Sequence, residues 1–176
     1  DFWQYPYTVL GREIPEWENK IKIELTQDFL ASVRTKYVLG IDSFDAIVLR
    51  PITGIIEQFE KTKTNLLFNA TVIDYPFVQR LFDYQTNLFG SQSIYHFLNA
   101  GAWIGKTDYC RYFFDDVVTM ESEVVKLPDD NPHYAVSEQL RVQFAFCKNY
   151  PSVLIDWGCD VFQVLHSPKH YPEEFQ

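Results

Sequence analysis

Apolar positions along this chain alternate between helical spacing and short continuous runs. From Glu16 to about Arg34, Ile21, Ile23, Leu25, Phe29, Leu30 and Val33 recur at mostly helical intervals. Tyr37-Val38-Leu39-Gly40-Ile41 follows as a nearly unbroken apolar run that ends at Asp42. A run of that kind predicts a central strand covered on both faces. Pro51 is placed to open a helix to about Lys61, with Ile52, Ile55, Ile56 and Phe59 on one face. Asn65 to Thr71 predicts a second strand, and Tyr75-Pro76 opens a loop or short helix to Tyr84. Gln85 to Tyr95 is polar and predicts a loop. His96 to Gly105 starts like a strand, Asp108 to Glu123 is helical, and Leu127 to Asn131 is an acidic loop with a proline. Ala135 to Tyr150 predicts a helix stopped by Pro151. Val153-Leu154-Ile155 and Val161-Phe162-Gln163 predict two short strands. Alternating helices and strands over 176 residues, without repeats, predict one α/β domain spanning 1–176.

Composition narrows the partners more than the fold. Hydrophobic residues make up 47% and aromatics 17%, which is core-forming composition. A net charge of -9 argues against nucleic acid as a partner, because a negative field repels a phosphate backbone. It leaves room for a single nucleotide, since a bound divalent cation reverses the local sign. Cys110, Cys147 and Cys159 are far apart and form no CxxC pair, so a structural zinc site is not expected. No apolar run is long enough to span a bilayer. The chain starts at Asp1 without Met, which leaves room for a removed leader, or much more, upstream. Cytoplasm and secretory-pathway lumen both stay open as compartments.

Candidate chemistry concentrates in three places. Asp42 and Asp45 follow directly after the first predicted strand. Ligands of open α/β sheets bind beyond the carboxyl ends of strands, and hard carboxylate oxygens suit Mn²⁺ or Mg²⁺. An Asp before a turn is equally a common cap. In the second place, Asn99-Ala100-Gly101, small residues let a ligand approach the backbone and Asn99 offers a donor and an acceptor. A tight strand-to-loop corner explains the same residues. The third is Ser137-Glu138-Gln139, where Ser137 suits a helix cap and Glu138 suits the first turn or a sugar site. Asp156 follows an apolar strand and either faces an acceptor or caps the turn around Gly158. Trp103 suits stacking on a sugar or, more simply, a core.

Taken in order, these segments resemble a known family. Leu39 to Val48, Leu66 to Ala70, Phe97 to Gly105, Glu138-Gln139-Leu140, Leu154-Ile155-Asp156 and Val161-Phe162-Gln163 resemble the glycosyltransferase domain of the procollagen lysyl hydroxylase and collagen glucosyl/galactosyltransferase family. Tyr7-Thr8-Val9-Leu10-Gly11 and Trp17 are similar to it as well. The resemblance implies a GT-A-like fold, a mixed and mostly parallel sheet flanked by helices. It also implies a UDP-sugar donor and Mn²⁺, or Mg²⁺. Asp42 and Asp45 match the family's DxxD metal motif, and Asn99, Ala100 and Gly101 match its sugar-site segment. Tyr75 falls where the family has an aromatic near the donor, and Glu138 where it ends an acidic run.

This chain departs from the family in three respects. The acidic run is reduced to Glu138. The amino-terminal nucleotide-binding strand and the late His-Gly-Asn metal segment are not evident, which leaves two expectations open, truncation at both ends or a divergent short form. His166 or His170 would then stand in as metal ligand, with His166 taken as the candidate. The expected activity is transfer of a hexose from a UDP-sugar to an acceptor hydroxyl on a protein, such as hydroxylysine, or on a glycan. Glu138 and Asp156 are the candidate catalytic residues. The alternative is a catalytically degenerate domain that binds a nucleotide sugar or glycan without turnover.

Overall fold

A computed structural model describes residues 4–42, 46–125, 127, 134 and 137–165. The elements are α1 (Ile21–Ser32), β1 (Tyr37–Ile41), α2 (Ile52–Lys61), β2 (Leu66–Thr71), α3 (Gln79–Phe89), β3 (Phe97–Lys106), α4 (Thr107–Thr119), α5 (Glu121–Val125), α6 (Glu138–Asn149) and β4 (Val153–Ile155). Among the described residues the strands form one mixed sheet in the order β1-β3-β2-β4. β3 pairs antiparallel with both β1 and β2, and β4 pairs parallel with β2. So β1, β2 and β4 share one direction and β3 alone opposes them. The sheet is mostly parallel in strand direction, although two of its three ladders are antiparallel.

The period-2 alternation of the strands splits the apolar residues into two layers. On one face Val38, Leu66, Phe68, Ala70, Leu98, Trp103, Val153 and Ile155 meet buried residues of α1, α3, α4 and α6, among them Leu30, Leu81, Phe113 and Phe146. On the other, Leu39, Leu67, Ile104 and Leu154 meet Ile55 and Phe59 of α2. This is the helix–sheet–helix layering expected of an α/β domain. Trp103 is 6% exposed and packs 5.0 Å from the Phe114 ring, so it is a core residue rather than a sugar platform.

Three elements differ from the sequence expectation. β1, expected as a central strand covered on both faces, stands at an edge of the described sheet, and Val38 is its one buried residue. The polar stretch from Gln85 continues α3 as far as Phe89. Gln85 is buried there, with its Oε1 accepting from the Leu98 amide at 2.7 Å. Beyond Ile41 the outer edge of β3 has no described strand beside it, so a glutamine takes that place and reads in the sequence as surface polarity. Residues Val161 to Gln163 form no strand. The amides of Asp160, Val161 and Phe162 all donate to the Asp156 carboxylate, at 3.1, 2.7 and 2.6 Å, and cannot also serve a ladder.

Candidate active site

Because β1, β2 and β4 run the same way, their carboxyl ends lie along one edge of the sheet. Asp42 follows β1 there, the Asp74–Phe77 segment follows β2, and Asp156 follows β4. This edge is where an open α/β sheet takes its ligand.

A break in register shapes the edge. Phe68 is paired with Trp103, but its neighbour Asn69 is paired with Asn99. The intervening Ala100, Gly101 and Ala102 therefore bulge away from β2 and stay in register with β1, where Ile41 pairs with Ala102 and the Asp42 amide donates to Gly101 O at 2.7 Å. An odd number of extra residues reverses the inward and outward faces of the strand. That is why Leu98 and Trp103, of opposite parity, both face the same core. Side chains hold the bulge in shape. Asn99 Oδ1 accepts from the Gly101 amide at 2.8 Å, and Gln139 accepts from Ala100 N at 2.8 Å while donating to Leu98 O.

The bulge sets Gly101 against Asp42. A Cβ on Gly101 would lie 2.9 Å from both Asp42 Oδ2 and Asn99 Oδ1. Glycine is therefore needed for contact with these two side chains, not for an unusual backbone angle.

Across from Asp42 stands a cation that the sequence reading did not single out. Lys22 Nζ on α1 donates to Asp42 Oδ1 at 2.7 Å and lies 3.3 Å from Glu138 Oε1. Lys22 thus bridges the end of β1 to the start of α6. The Glu138 side chain is 12% exposed, whereas that of Asp42 is 48% exposed. Burial pushes the Glu138 carboxyl above the usual carboxylate range, against the opposing pull of Lys22. Burial alone would lower the Lys22 ammonium, but Glu138 and Asp42 together hold it above its ordinary value. α6 presents Glu138 firmly, because Ser137 Oγ caps the helix by accepting from Leu140 N at 3.2 Å.

The other expected site residues fall as follows. Tyr75 lies on the segment after β2 and is 66% exposed. Asp156 is buried, and its carboxylate is taken up by three backbone amides of the 156–162 loop. Of its two expected roles, its hydrogen bonds carry the capping one. Asp45 and His166 lie outside the described residues. Among the described residues no group of three or more His, Cys, Asp or Glu is arranged to hold a metal ion. Of the expected ligands only Asp42 is described. No described helix is long and apolar enough to cross a membrane.

With this geometry in hand, the comparison with protein families is decisive. The family model described as PLOD GT domain matches residues 2–170. The chain belongs to that family. It is a glycosyltransferase domain, and the family implies a donor and an acceptor substrate. A comparison with curated proteins finds no match. The matched span covers every segment that carries the resemblance, from the Tyr7–Gly11 stretch through Asp42, the bulge and Glu138 to Gln163.

Proposed function

We propose that the domain transfers a hexose from a UDP-sugar to an acceptor hydroxyl at the edge formed by Asp42, Gly101, Lys22 and Glu138. The Asp42–Lys22–Glu138 chain carries this reading, because it places an exposed carboxylate, a cation and a buried carboxylate side by side over a backbone cleared of side chains. Asp42 fits a divalent cation: it offers hard oxygens, its Oδ2 lies beside Gly101, and half of the side chain is open. Asp45 and His166 would complete the ligand set. A divalent cation held there would supply Lewis-acid neutralisation of charge on the diphosphate leaving group.

The remaining work falls to the chain itself. Gly101 gives the sugar close access to backbone, whereas Ala100 is buried in the core behind it, and Asn99 is tied to that backbone by its own carbonyl oxygen. Tyr75, farther along the same edge, offers an exposed ring to the donor. Lys22 keeps two carboxylates at close quarters and supplies positive charge where the phosphates must sit. Glu138 orients the acceptor hydroxyl and takes its proton as the new glycosidic bond forms. A carboxylate whose pKa is raised by burial is a better base than an ordinary one.

The direct test is UDP release from UDP-hexoses, with and without an acceptor such as a hydroxylysine peptide. Release should require acceptor, stop on adding EDTA, and return with Mn²⁺. UDP binding without turnover under all acceptors tried would move the domain to the binding alternative. No UDP binding at all would end both readings.

The glycine makes a sharper prediction. Gly101→Val puts a side chain where Asp42 Oδ2 and Asn99 Oδ1 now lie. The exposed Asp42 can swing away at little cost to the fold, so the loss should appear in Mn²⁺-dependent UDP binding as well as in UDP-sugar binding. A fall of roughly tenfold or more, about 1.4 kcal/mol, is expected by calorimetry. A variant that binds UDP normally and loses only the sugar would instead put the added side chain in the hexose pocket.

A further inference from the structure

Away from the Asp42–Lys22–Glu138 chain, α6 makes one more polar connection to the same edge. Gln143, one turn beyond Gln139, is completely buried, and its Nε2 lies 3.4 Å from Asp74 Oδ1. Asp74 Oδ2 and Gln143 Oε1 are both buried with no hydrogen-bond partner among the described residues. A buried acceptor left without a donor is costly, and two beside each other need a common explanation. An ionised Asp74 has no hydrogen to give, so Gln143 Oε1 would stay unsatisfied whichever way the amide is turned. A proton on Oδ2 supplies the missing donor and accounts for both atoms.

We propose that Asp74 works as a carboxylic acid, joined to Gln143 as an acid–amide pair that clamps the Tyr75–Phe77 segment to α6 and releases it when the acid ionises. Asp74 is thereby a positioning residue for Tyr75, the exposed aromatic at the donor edge; this role rests on the reading of that edge as the substrate site. The clamp itself does not. A second tie holds the far end of the segment, where Tyr134 Oη donates to Phe77 O at 2.8 Å. The charged groups on α3 and α6 nearest the segment have charged or aromatic partners of their own. On α3, Arg80 pairs with Glu123 and stacks on Phe144, and Asp83 accepts from Gln79. On α6, Arg141 pairs with Glu121 and Glu138 with Lys22. The Asp74 carboxyl is raised to about 6, first by burial, with the Gln143 amide and the Val78 backbone pulling the other way.

The sign of the pH dependence follows. A folded-state value above the unfolded one means that stability is lost as pH rises from about 4 to about 6 and stays lost above that. Asp74→Asn keeps the shape and replaces the acid–amide pair by an amide–amide pair that no pH in this range breaks. Compared with wild type, Asp74→Asn should melt at the same temperature near pH 4 and roughly 2–6 °C higher at pH 8. Hydrogen exchange of the backbone amides from Val72 to Val78, corrected for intrinsic base catalysis, should speed up in wild type between about pH 5 and about pH 7 and stay flat in Asp74→Asn. Gln143→Leu, which removes the partner, should leave the segment fast-exchanging at every pH. In the active domain, KM for the donor should rise with pH in wild type and not in Asp74→Asn, with kcat unaffected. Parallel pH responses of wild type and Asp74→Asn in melting and exchange would overturn the clamp. Those two measurements need no substrate, so a failed clamp and a failed transferase reading give different results.

Discussion

Asp42→Ala is expected to abolish most Mn²⁺-dependent UDP binding while the fold stays intact. The stability side follows from what Asp42 touches. Its side chain pairs with Lys22, and the carboxylate is about half exposed. Pairs of that exposure contribute about 0–1 kcal/mol. The hydrogen bond that joins β1 to the bulge uses the Asp42 backbone amide, which the substitution keeps. The melting temperature should therefore move by no more than a few degrees. The binding side is larger. A metal ligand at the diphosphate supplies several kcal/mol, so UDP affinity in Mn²⁺ should fall by on the order of 10²–10³-fold. Asp42→Asn separates charge from shape, and it should fall nearly as far. Calorimetric titration of UDP in Mn²⁺ decides the matter, and wild-type affinity in both variants would take Asp42 out of the site.

Much of this site was legible before any coordinates, and the reasons are local. The run from Tyr37 to Ile41 is apolar without interruption, so it reads as a strand, and the strand lies at those residues, although at an edge of the described sheet rather than at its centre. Asp42 then falls at a carboxyl end by arithmetic alone. Ser137 and Glu138 read as a cap and first turn, and the cap is formed. The illegible parts are those where a polar side chain serves the interior. The sequence assigns no interior contact to Gln85, Gln139 or Gln143, yet each bonds to a group far along the chain: Leu98 N, the Leu98–Ala100 backbone, and Asp74. Lys22 sits between Ile21 and Ile23 and reads as an ordinary helix cation. Its two carboxylates come from β1 and α6, and only the tertiary fold brings them together. The bulge has the same character. Asn99-Ala100-Gly101 read as small residues suited to a corner or a ligand, but the three-residue slip against β2 depends on which strands flank β3.

Glu138 is where the transferase and binding readings part. It opens α6 beside Lys22, largely buried but not enclosed, with its carboxyl pushed up by that burial. If it takes the acceptor proton, Glu138→Gln keeps the volume and a hydrogen-bonding amide and removes the base. General base catalysis contributes roughly 10²–10⁴-fold, so turnover should fall by about that factor with donor affinity little changed. The bland alternative is a first-turn carboxylate that favours the helix dipole by about 0.3–1 kcal/mol. The structure adds a second constraint, because Lys22 also pairs with Asp42 at 2.7 Å, a contact that does not use Glu138. The ammonium is therefore not stranded, and large destabilisation is not expected. A neutral side chain also avoids the cost of burying a carboxylate, so the melting temperature should stay within a few degrees of wild type. Steady-state transfer to the acceptor, run beside thermal melts and UDP-sugar titration, resolves the two. A drop in turnover with unchanged melting and binding assigns the proton to Glu138. Turnover at the wild-type rate would leave it a helix residue and a partner of Lys22, with the acceptor oriented by other groups along this edge.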